Sequence, residues 1–261
     1  MYKYAFSTAA LYPLSSENAL ELIGGAGFRY AELMPQAFSD VTDDFALCAL
    51  KTGVEVCSVH YPLTMFAMLY TAHPAMSADG RKFSRDLVTL CSRLGAAIIV
   101  IHPHNPPSPQ HCKILEKPVI ENMVYLADLC AEKNITLAME NNPKGPGSSG
   151  EALLKYIESF GGHTAIKPMV DTTEACEASQ DPVEFIRIVK PMHIHLSDFK
   201  DSSKHLPAGQ GDIDWDELIK TLGNYHGYYT LEPSYRYYLE DIENRLRDAY
   251  RFISRLVEEN S

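Results

Sequence analysis

The sequence predicts an α/β protein folded as a closed (β/α)8 barrel, the TIM-barrel fold. Short runs rich in strand-forming residues alternate with longer amphipathic runs along the whole chain. Eight such alternations in about 250 residues match the size and rhythm of this barrel. An open doubly wound sheet is the alternative, but the first predicted strand runs into STAALYPLS, which lacks a glycine-rich phosphate-binding turn.

Each predicted strand is a short, mostly apolar run that ends abruptly at polar residues. The predicted strands cover residues 4–7, 30–34, 55–60, 97–102, 136–140, 166–171, 192–196 and 228–232. Between them, apolar residues recur at helical spacing, with Ser16 and Asp214 as predicted N-caps and Pro182 in a first turn. Because no linker or change of composition divides the chain, we expect residues 1–261 to form one domain.

Composition narrows the possible partners and location. The formal net charge is −11 and no cluster of Lys and Arg stands out, which argues against nucleic-acid binding. No apolar run approaches the roughly 20 residues of a membrane span, and MYKYAFST lacks the features of a signal peptide. The six cysteines form no C-x-x-C pair and are predicted to be reduced core thiols. Together these features favour a cytoplasmic protein.

Acidic residues and histidines occupy the ends of seven of the eight predicted strands. They are Glu32, His60, His102, Glu140, Asp171, His195 and Glu232. In a (β/α)8 barrel the C-terminal ends of the strands meet at one face, where the chemistry takes place. Several carboxylates cannot stay ionised in one buried mouth without a compensating cation. Histidine together with Asp and Glu suits Mn²⁺, Zn²⁺, Co²⁺ or Fe²⁺ better than Ca²⁺, so the sequence predicts a metal centre there.

Several short motifs at these strand ends resemble one known superfamily. In chain order they read IHPHN, AMENN, MVDTTEA, HLSDFKD, HLPAGQGDIDW and LEP. Their residues and order are similar to those of the xylose isomerase-like TIM barrels, and the likeness spans nearly the whole chain. That superfamily includes sugar phosphate isomerases and epimerases, ketose 3-epimerases, inosose dehydratases and, more distantly, apurinic endonucleases.

The resemblance implies a site with four metal ligands. They are Glu140, Asp171, His195 and Glu232. It implies one divalent ion (Mn²⁺, Zn²⁺, Co²⁺ or Mg²⁺), with Glu140 and Glu232 serving also as the catalytic acid and base. His60 and His102 match positions that help Glu140 to hold a second ion in the endonuclease branch, so they could bind a second metal or the substrate.

The resemblance also has departures. Three residues after the metal-binding Asp, both the endonuclease and ketose epimerase branches have a His, whereas this chain has Glu174. The endonuclease branch's Asp-x-His is replaced by Ser203-Lys204-His205, so its third metal site is predicted to be missing. The particular sugar is therefore left open.

Four further residues are predicted to contact substrate: His205, Glu174, Arg236 and Lys200. The segment after the seventh predicted strand is interpreted as a loop, which Gly209 and Gly211 would let turn tightly so that His205 reaches the site. A polar-poor segment at residues 61–74 is interpreted as a lid, a surface buried by a second subunit in a homo-oligomer, or a short core helix.

The expected activity is that of a divalent-metal-dependent isomerase or epimerase. Its substrate would be a small sugar, a sugar phosphate or a related ketone, which would lose a proton next to a carbonyl polarised by the metal. An inosose-type dehydratase shares the first step and is the alternative. Less favoured are an apurinic-endonuclease-like metal phosphodiesterase and a barrel that binds sugar or metal without catalysis.

Overall fold

The computed structural model describes residues 2–105 and 108–260. Its strands are β1 Lys3–Ser7, β2 Tyr30–Leu33, β3 Glu55–His60, β4 Ile98–Ile101, β5 Thr136–Met139, β6 Ile166–Asp171, β7 His193–Leu196, β8 Asp198–Lys200, β9 Ser203–Leu206 and β10 Tyr228–Leu231. All but β8 and β9 close into one parallel barrel in the order β1-β10-β7-β6-β5-β4-β3-β2. The predicted fold class is therefore confirmed, while the extent of the domain, residues 1–261, stays a prediction.

Helices surround the barrel on the outside. They are α1 Ser16–Gly25, α2 Asp43–Lys51, α3 Phe66–Leu69, α4 Pro74–Leu94, α5 Pro109–Glu132, α6 Gly150–Glu158, α7 Thr172–Glu177, α8 Pro182–Val189, α9 Trp215–Leu222 and α10 Ile242–Asn260. Asp214 caps α9 as predicted, by accepting a hydrogen bond from the Glu217 amide. The cap of α1 is Ser15 rather than the predicted Ser16. In the described part of the chain, no helix is both long and apolar enough to cross a membrane.

The predicted strands coincide with the barrel strands to within one residue at either end. The agreement follows from burial on both faces, which turns each strand into a nearly continuous apolar run. One element was predicted wrongly, because the segment after β7 was interpreted as a loop and instead forms the antiparallel hairpin of β8 and β9. Asp201 turns this hairpin with a φ of 54°, a conformation that Asp tolerates better than most residues.

The barrel interior is apolar towards the N-terminal ends of the strands, here called the lower end, and polar towards their C-terminal ends. Ile98, Val100, Ala138 and Met169 form a small buried cluster inside the ring. Met169 and Asp171 lie two residues apart on β6 and therefore point the same way. The same alternation places His193 below His195 on β7. The polar residues consequently gather at the C-terminal end of the strands, above an apolar floor.

The segment at residues 61–74 contributes to the core. It contains a 3-10 turn, Leu63–Met65, followed by α3, in which Leu69 is buried. The interpretation as a short core helix is therefore supported. The Tyr70 hydroxyl donates a hydrogen bond to the carbonyl oxygen of His102, so this segment also helps to fix the end of β4.

The cysteines are free thiols. Cys57, Cys91 and Cys130 are buried as predicted. Cys48 and Cys112 are exposed, so the expectation of core thiols is wrong for these two.

Candidate metal centre

Four side chains converge at the C-terminal ends of β5, β6, β7 and β10. Glu140, Asp171, His195 and Glu232 each offer one potential ligand atom, and these atoms all lie within 4.8 Å of one another. Nδ1 of His195 is 2.7 Å from Oε2 of Glu232 and 3.0 Å from Oε1 of Glu140. The first three residues are buried, whereas the Glu232 side chain is 13% exposed. We call these four residues the cup, and its open side is that of Glu232.

The cup has the character of a site for a divalent cation. Oδ2 of Asp171 is buried and accepts no hydrogen bond within the described residues. Burial raises the pKa of Asp171 to about 7, with the Glu140 carboxylate adding to the shift and the His205 imidazole opposing it. Three carboxylates and one imidazole are hard oxygen and borderline nitrogen donors of the kind that Mn²⁺, Co²⁺ and Zn²⁺ accept. These residues therefore fit the ion that the sequence predicts.

When no ion is bound, the protonated imidazole of His195 partly balances the negative charge of the carboxylates. Burial lowers the pKa of His195, but the carboxylates of Glu232, Glu32 and Glu140 outweigh it and raise that pKa well above its usual value. Burial raises the pKa of Glu140, but the His102 and His195 imidazoles outweigh it and hold the pKa well below its usual value. A bound cation would take over this compensation and displace the proton of His195.

Neighbouring polar residues hold the carboxylates in place. Oδ1 of Asn141 accepts a hydrogen bond of 2.6 Å from the amide of Asp171, and Nδ2 of Asn141 donates to the Asp171 carbonyl at 3.0 Å. Oδ1 of Asp171 accepts from the Glu174 amide at 2.7 Å, which caps α7 and leaves Oδ2 facing the cup. On the other side, the Ser7 hydroxyl donates to Oε1 of Glu232 at 3.0 Å. Asp171 and Glu232 thus each keep one carboxylate oxygen, Oδ2 and Oε2, for the cup.

A second group adjoins the cup at Glu140. Nε2 of His102 is 2.9 Å and Nε2 of His60 is 3.4 Å from Oε2 of Glu140, but neither contact has hydrogen-bond geometry in the described structure. Nδ1 of His60 lies 2.8 Å from the Tyr61 carbonyl, which fixes that ring. The two imidazoles and the free carboxylate oxygen could hold a second ion, or they could contact substrate, as the sequence predicts.

The structure brings two of the four predicted substrate residues to the cup. Nε2 of His205 on β9 lies 3.2 Å from Oε1 of Glu174, and its Nδ1 is 4.0 Å from Oδ2 of Asp171. Lys200 is exposed, with its Nζ 3.5 Å from Asp212, and Arg236 is exposed in the 3-10 turn after β10. Their contact with substrate stays a prediction.

Asp198 organises the loop between the hairpin and α9. Its buried carboxylate accepts hydrogen bonds from the Gly209 amide at 2.9 Å, the Ile213 amide at 3.2 Å and Nε1 of Trp215 at 2.8 Å. A Cβ on Gly211 would lie 2.3 Å from Oδ1 of Asp198, so a larger residue cannot stand there without moving the loop. The loop in turn holds the end of the hairpin that carries His205.

Gly211→Ala is expected to lower the free energy of unfolding by about 1–3 kcal/mol, because the added methyl collides with Asp198 and with a backbone oxygen. Chemical denaturation would measure this change. Gly25→Ala is the matched control, since a Cβ at Gly25 would meet nothing within 4 Å among the described residues. It should be neutral or slightly stabilising. Equal stability of the two variants would contradict the tight approach of this loop.

Glu32 stands at a predicted strand end, but the sequence indicates no role for it. Glu32 lies in β2, one residue before its end, is fully buried, and accepts a hydrogen bond of 2.8 Å from the Ser58 hydroxyl. Its carboxylate also lies 3.2 Å from Nε2 of His193 and 2.9 Å from Nε2 of His195. Burial raises the pKa of Glu32, but these imidazoles outweigh it and hold the pKa well below its usual value. Ser7 was missed as well, and only its place at the end of β1 could have indicated it.

The chain is thus one of the parallel α/β barrels that carry a buried cluster of carboxylates and histidine at the C-terminal ends of their strands. Comparison with protein families places the chain within that class. The model of the xylose isomerase-like TIM barrel matches residues 20–256, so the chain belongs to this family. The resemblance drawn from the motifs is thereby confirmed.

Several relatives and solved structures are similar over nearly the whole chain. An uncharacterized protein of Mycobacterium tuberculosis is 25% identical over 255 residues, with 89% of each chain covered. A D-tagatose 3-epimerase-like protein superimposes with a TM-score of 0.82 at 16% identity, covering 98% of this chain and 97% of that one. The structure of an L-ribulose 3-epimerase gives a TM-score of 0.79 at 17% identity, covering 100% and 96%. At these identities the structural likeness shows the fold alone.

Proposed function

We propose that the protein is a divalent-metal-dependent isomerase or epimerase that acts on a small sugar or a related ketone. The observation that carries this proposal is the convergence of Glu140, Asp171, His195 and Glu232 into one buried cup. These four residues would hold the ion, which when bound polarises the carbonyl of a neighbouring sugar. The similar structures named as sugar 3-epimerases support the same class of reaction.

Glu140 and Glu232 are the proposed acid and base. They follow β5 and β10, which are separated in the barrel by β6 and β7, so their carboxylates approach the cup from opposite sides. One carboxylate takes a proton from the carbon next to the sugar carbonyl, and the other returns a proton to the opposite face or to the neighbouring carbon. The first outcome inverts a centre. The second moves the carbonyl, provided that the proton of the adjacent hydroxyl also passes to the former carbonyl oxygen. The Ser7 hydroxyl orients Glu232 for this role by holding its Oε1.

His205 and Glu174 are proposed to contact substrate hydroxyls at the rim of the cup. Both side chains are partly exposed, 23% for His205 and 15% for Glu174, and they face each other. An imidazole paired with a carboxylate offers a hydroxyl both a donor and an acceptor. Because Glu174 stands where related branches have a His, this pair is the proposed source of any difference in sugar preference.

The purified protein is expected to carry one tightly bound divalent ion per chain and to exchange a substrate proton with solvent. Metal analysis would identify the ion, and NMR in D₂O across a panel of ketoses would detect deuterium next to the carbonyl. Removal of the ion with a chelator should abolish the exchange, and adding it back should restore it.

These measurements, together with a nicking assay on abasic DNA, separate the alternatives. Deuterium incorporation followed by loss of water would favour the dehydratase. A bound ion without exchange into any sugar would favour a binding barrel. Cleavage of abasic DNA would favour the phosphodiesterase, against which the net charge of −11 argues. The cytoplasmic location and the homo-oligomer stay predictions.

A further inference from the structure

We infer that Glu32 is a positioning residue of the cup: it holds the Nε2–H of His195, so that Nδ1 is the nitrogen presented to the bound ion. This inference rests on the proposed metal site and adds a residue outside the four proposed ligands. Glu32 belongs to β2, whereas His195 belongs to β7. The contact therefore crosses the interior of the barrel.

The two nitrogens of the His195 ring face opposite ways. Nε2 lies 2.9 Å from Oε1 and 3.0 Å from Oε2 of Glu32. Nδ1 lies 2.7 Å from Glu232 Oε2 and 3.0 Å from Glu140 Oε1. A neutral imidazole carries one N–H and one lone pair. Carboxylates face both nitrogens in the metal-free structure, so each nitrogen can carry a proton. A cation in the cup would displace the proton of Nδ1, while Glu32 would keep the proton on Nε2.

Glu32 is itself held from other sides. The Ser58 hydroxyl donates to Oε2 at 2.8 Å, and Nε2 of His193 lies 3.2 Å from the same oxygen. All of these side chains are fully buried. Glu32 therefore has no freedom to follow His195 if the ring rotates, and it acts as a fixed support.

Glu32, His193 and His195 also satisfy the distance criterion for a metal site. Each of the three has 0% exposure, however, and the imidazole nitrogens that face Glu32 lie within hydrogen-bond distance of its carboxylate. A cation placed there would need to displace these hydrogen bonds in an enclosed space, without access for water. We therefore interpret the group as a hydrogen-bonded support beneath the cup.

Without the Glu32 carboxylate, the His195 ring loses the partner that selects its tautomer, and the form protonated on Nδ1 competes with metal binding. Glu32→Gln keeps the shape of the side chain and removes its charge. We expect this variant to bind Zn²⁺ about 10- to 100-fold more weakly, as is typical when such a partner is lost. Competition with a chromophoric chelator would measure the dissociation constant.

An NMR measurement distinguishes a specific effect on the His195 ring from a general loss of stability. In the Zn²⁺-loaded wild-type protein, ¹⁵N-resolved NMR of imidazole should show the His195 proton on Nε2 and protected from solvent. In Glu32→Gln that proton should exchange faster or move to a different chemical shift. Ser58→Ala, which leaves the Glu32 carboxylate in place, should keep the proton on Nε2. Should Glu32→Gln not fold, the Zn²⁺-loaded wild-type protein still provides a test, because a His195 ring without a proton on Nε2 would overturn the inference.

Asp198→Asn is the matched control, because Asp198 is another fully buried carboxylate but contacts no residue of the cup in the described structure. It should lower the melting temperature and leave Zn²⁺ affinity within about twofold. Wild-type affinity and an unchanged Nε2 proton in Glu32→Gln would overturn the inference, as would equal losses of affinity in the two variants. If the wild-type protein itself binds no ion, the proposed function fails instead.

Discussion

Glu140→Gln and Glu232→Gln are each expected to lower the rate of proton exchange between sugar and solvent by roughly 10²- to 10⁴-fold, because an amide cannot accept the proton. NMR detection of deuterium in the substrate would measure the rate. The fold of both variants should survive, since Gln has nearly the shape of Glu.

A matched control lies close to the same site. Glu177 on α7 pairs its carboxylate with Nζ of Lys204 at 2.9 Å and belongs to neither the cup nor its rim. Glu177→Gln should therefore exchange protons at the wild-type rate. Wild-type exchange in both Glu140→Gln and Glu232→Gln would remove the proposed acid and base, even if the ion is bound.

Binding of a divalent ion near pH 7 is expected to release protons, and the apparent affinity is expected to rise with pH. The pKa of His195 in the metal-free cup is well above its usual value, and burial raises that of Asp171 to about 7, so near neutral pH His195 carries a proton and Asp171 is partly protonated. An ion must displace these protons. Each displaced proton changes the affinity by about tenfold per pH unit below the pKa concerned.

Isothermal titration calorimetry in buffers of different ionisation enthalpy would count the protons released. The affinity should fall as pH drops through 7, and the fall should be shallower in Asp171→Asn, which has no carboxyl proton to lose and should also bind more weakly overall. An affinity that stays constant between pH 6 and pH 8 would contradict this account of the charges in the cup.

The barrel and the cup could be predicted from sequence because burial determines both. Strands enclosed on both faces become apolar runs, and a carboxylate at the end of such a run, as in TLAME before Asn141, is conspicuous. In a parallel barrel the ends of all strands meet, so linear positions such as Asp171 and Glu232 translate directly into proximity.

Other features depend on the directions in which side chains point, which cannot be read from the sequence pattern. Glu32 looks like the other strand-end acids, and only the coordinates reveal that its carboxylate lies under His195 rather than in the cup. Lys200 is paired with Asp212 because the hairpin of β8 and β9 turns the lysine outward. That hairpin is short and only partly buried, so no apolar alternation distinguishes it from a loop.

The order of the cup residues along the chain has a consequence for biosynthesis. Glu140, Asp171, His195 and Glu232 follow one another from the fifth barrel strand to the last, whereas the supports Ser7 and Glu32 belong to the first two. A nascent polypeptide leaving the ribosome therefore cannot assemble the whole cup until residue 232 has emerged and β10 has paired with β1. Binding of the proposed cation by all four residues would therefore have to follow the pairing of the last strand, and a chain truncated before that strand would lack one of the four.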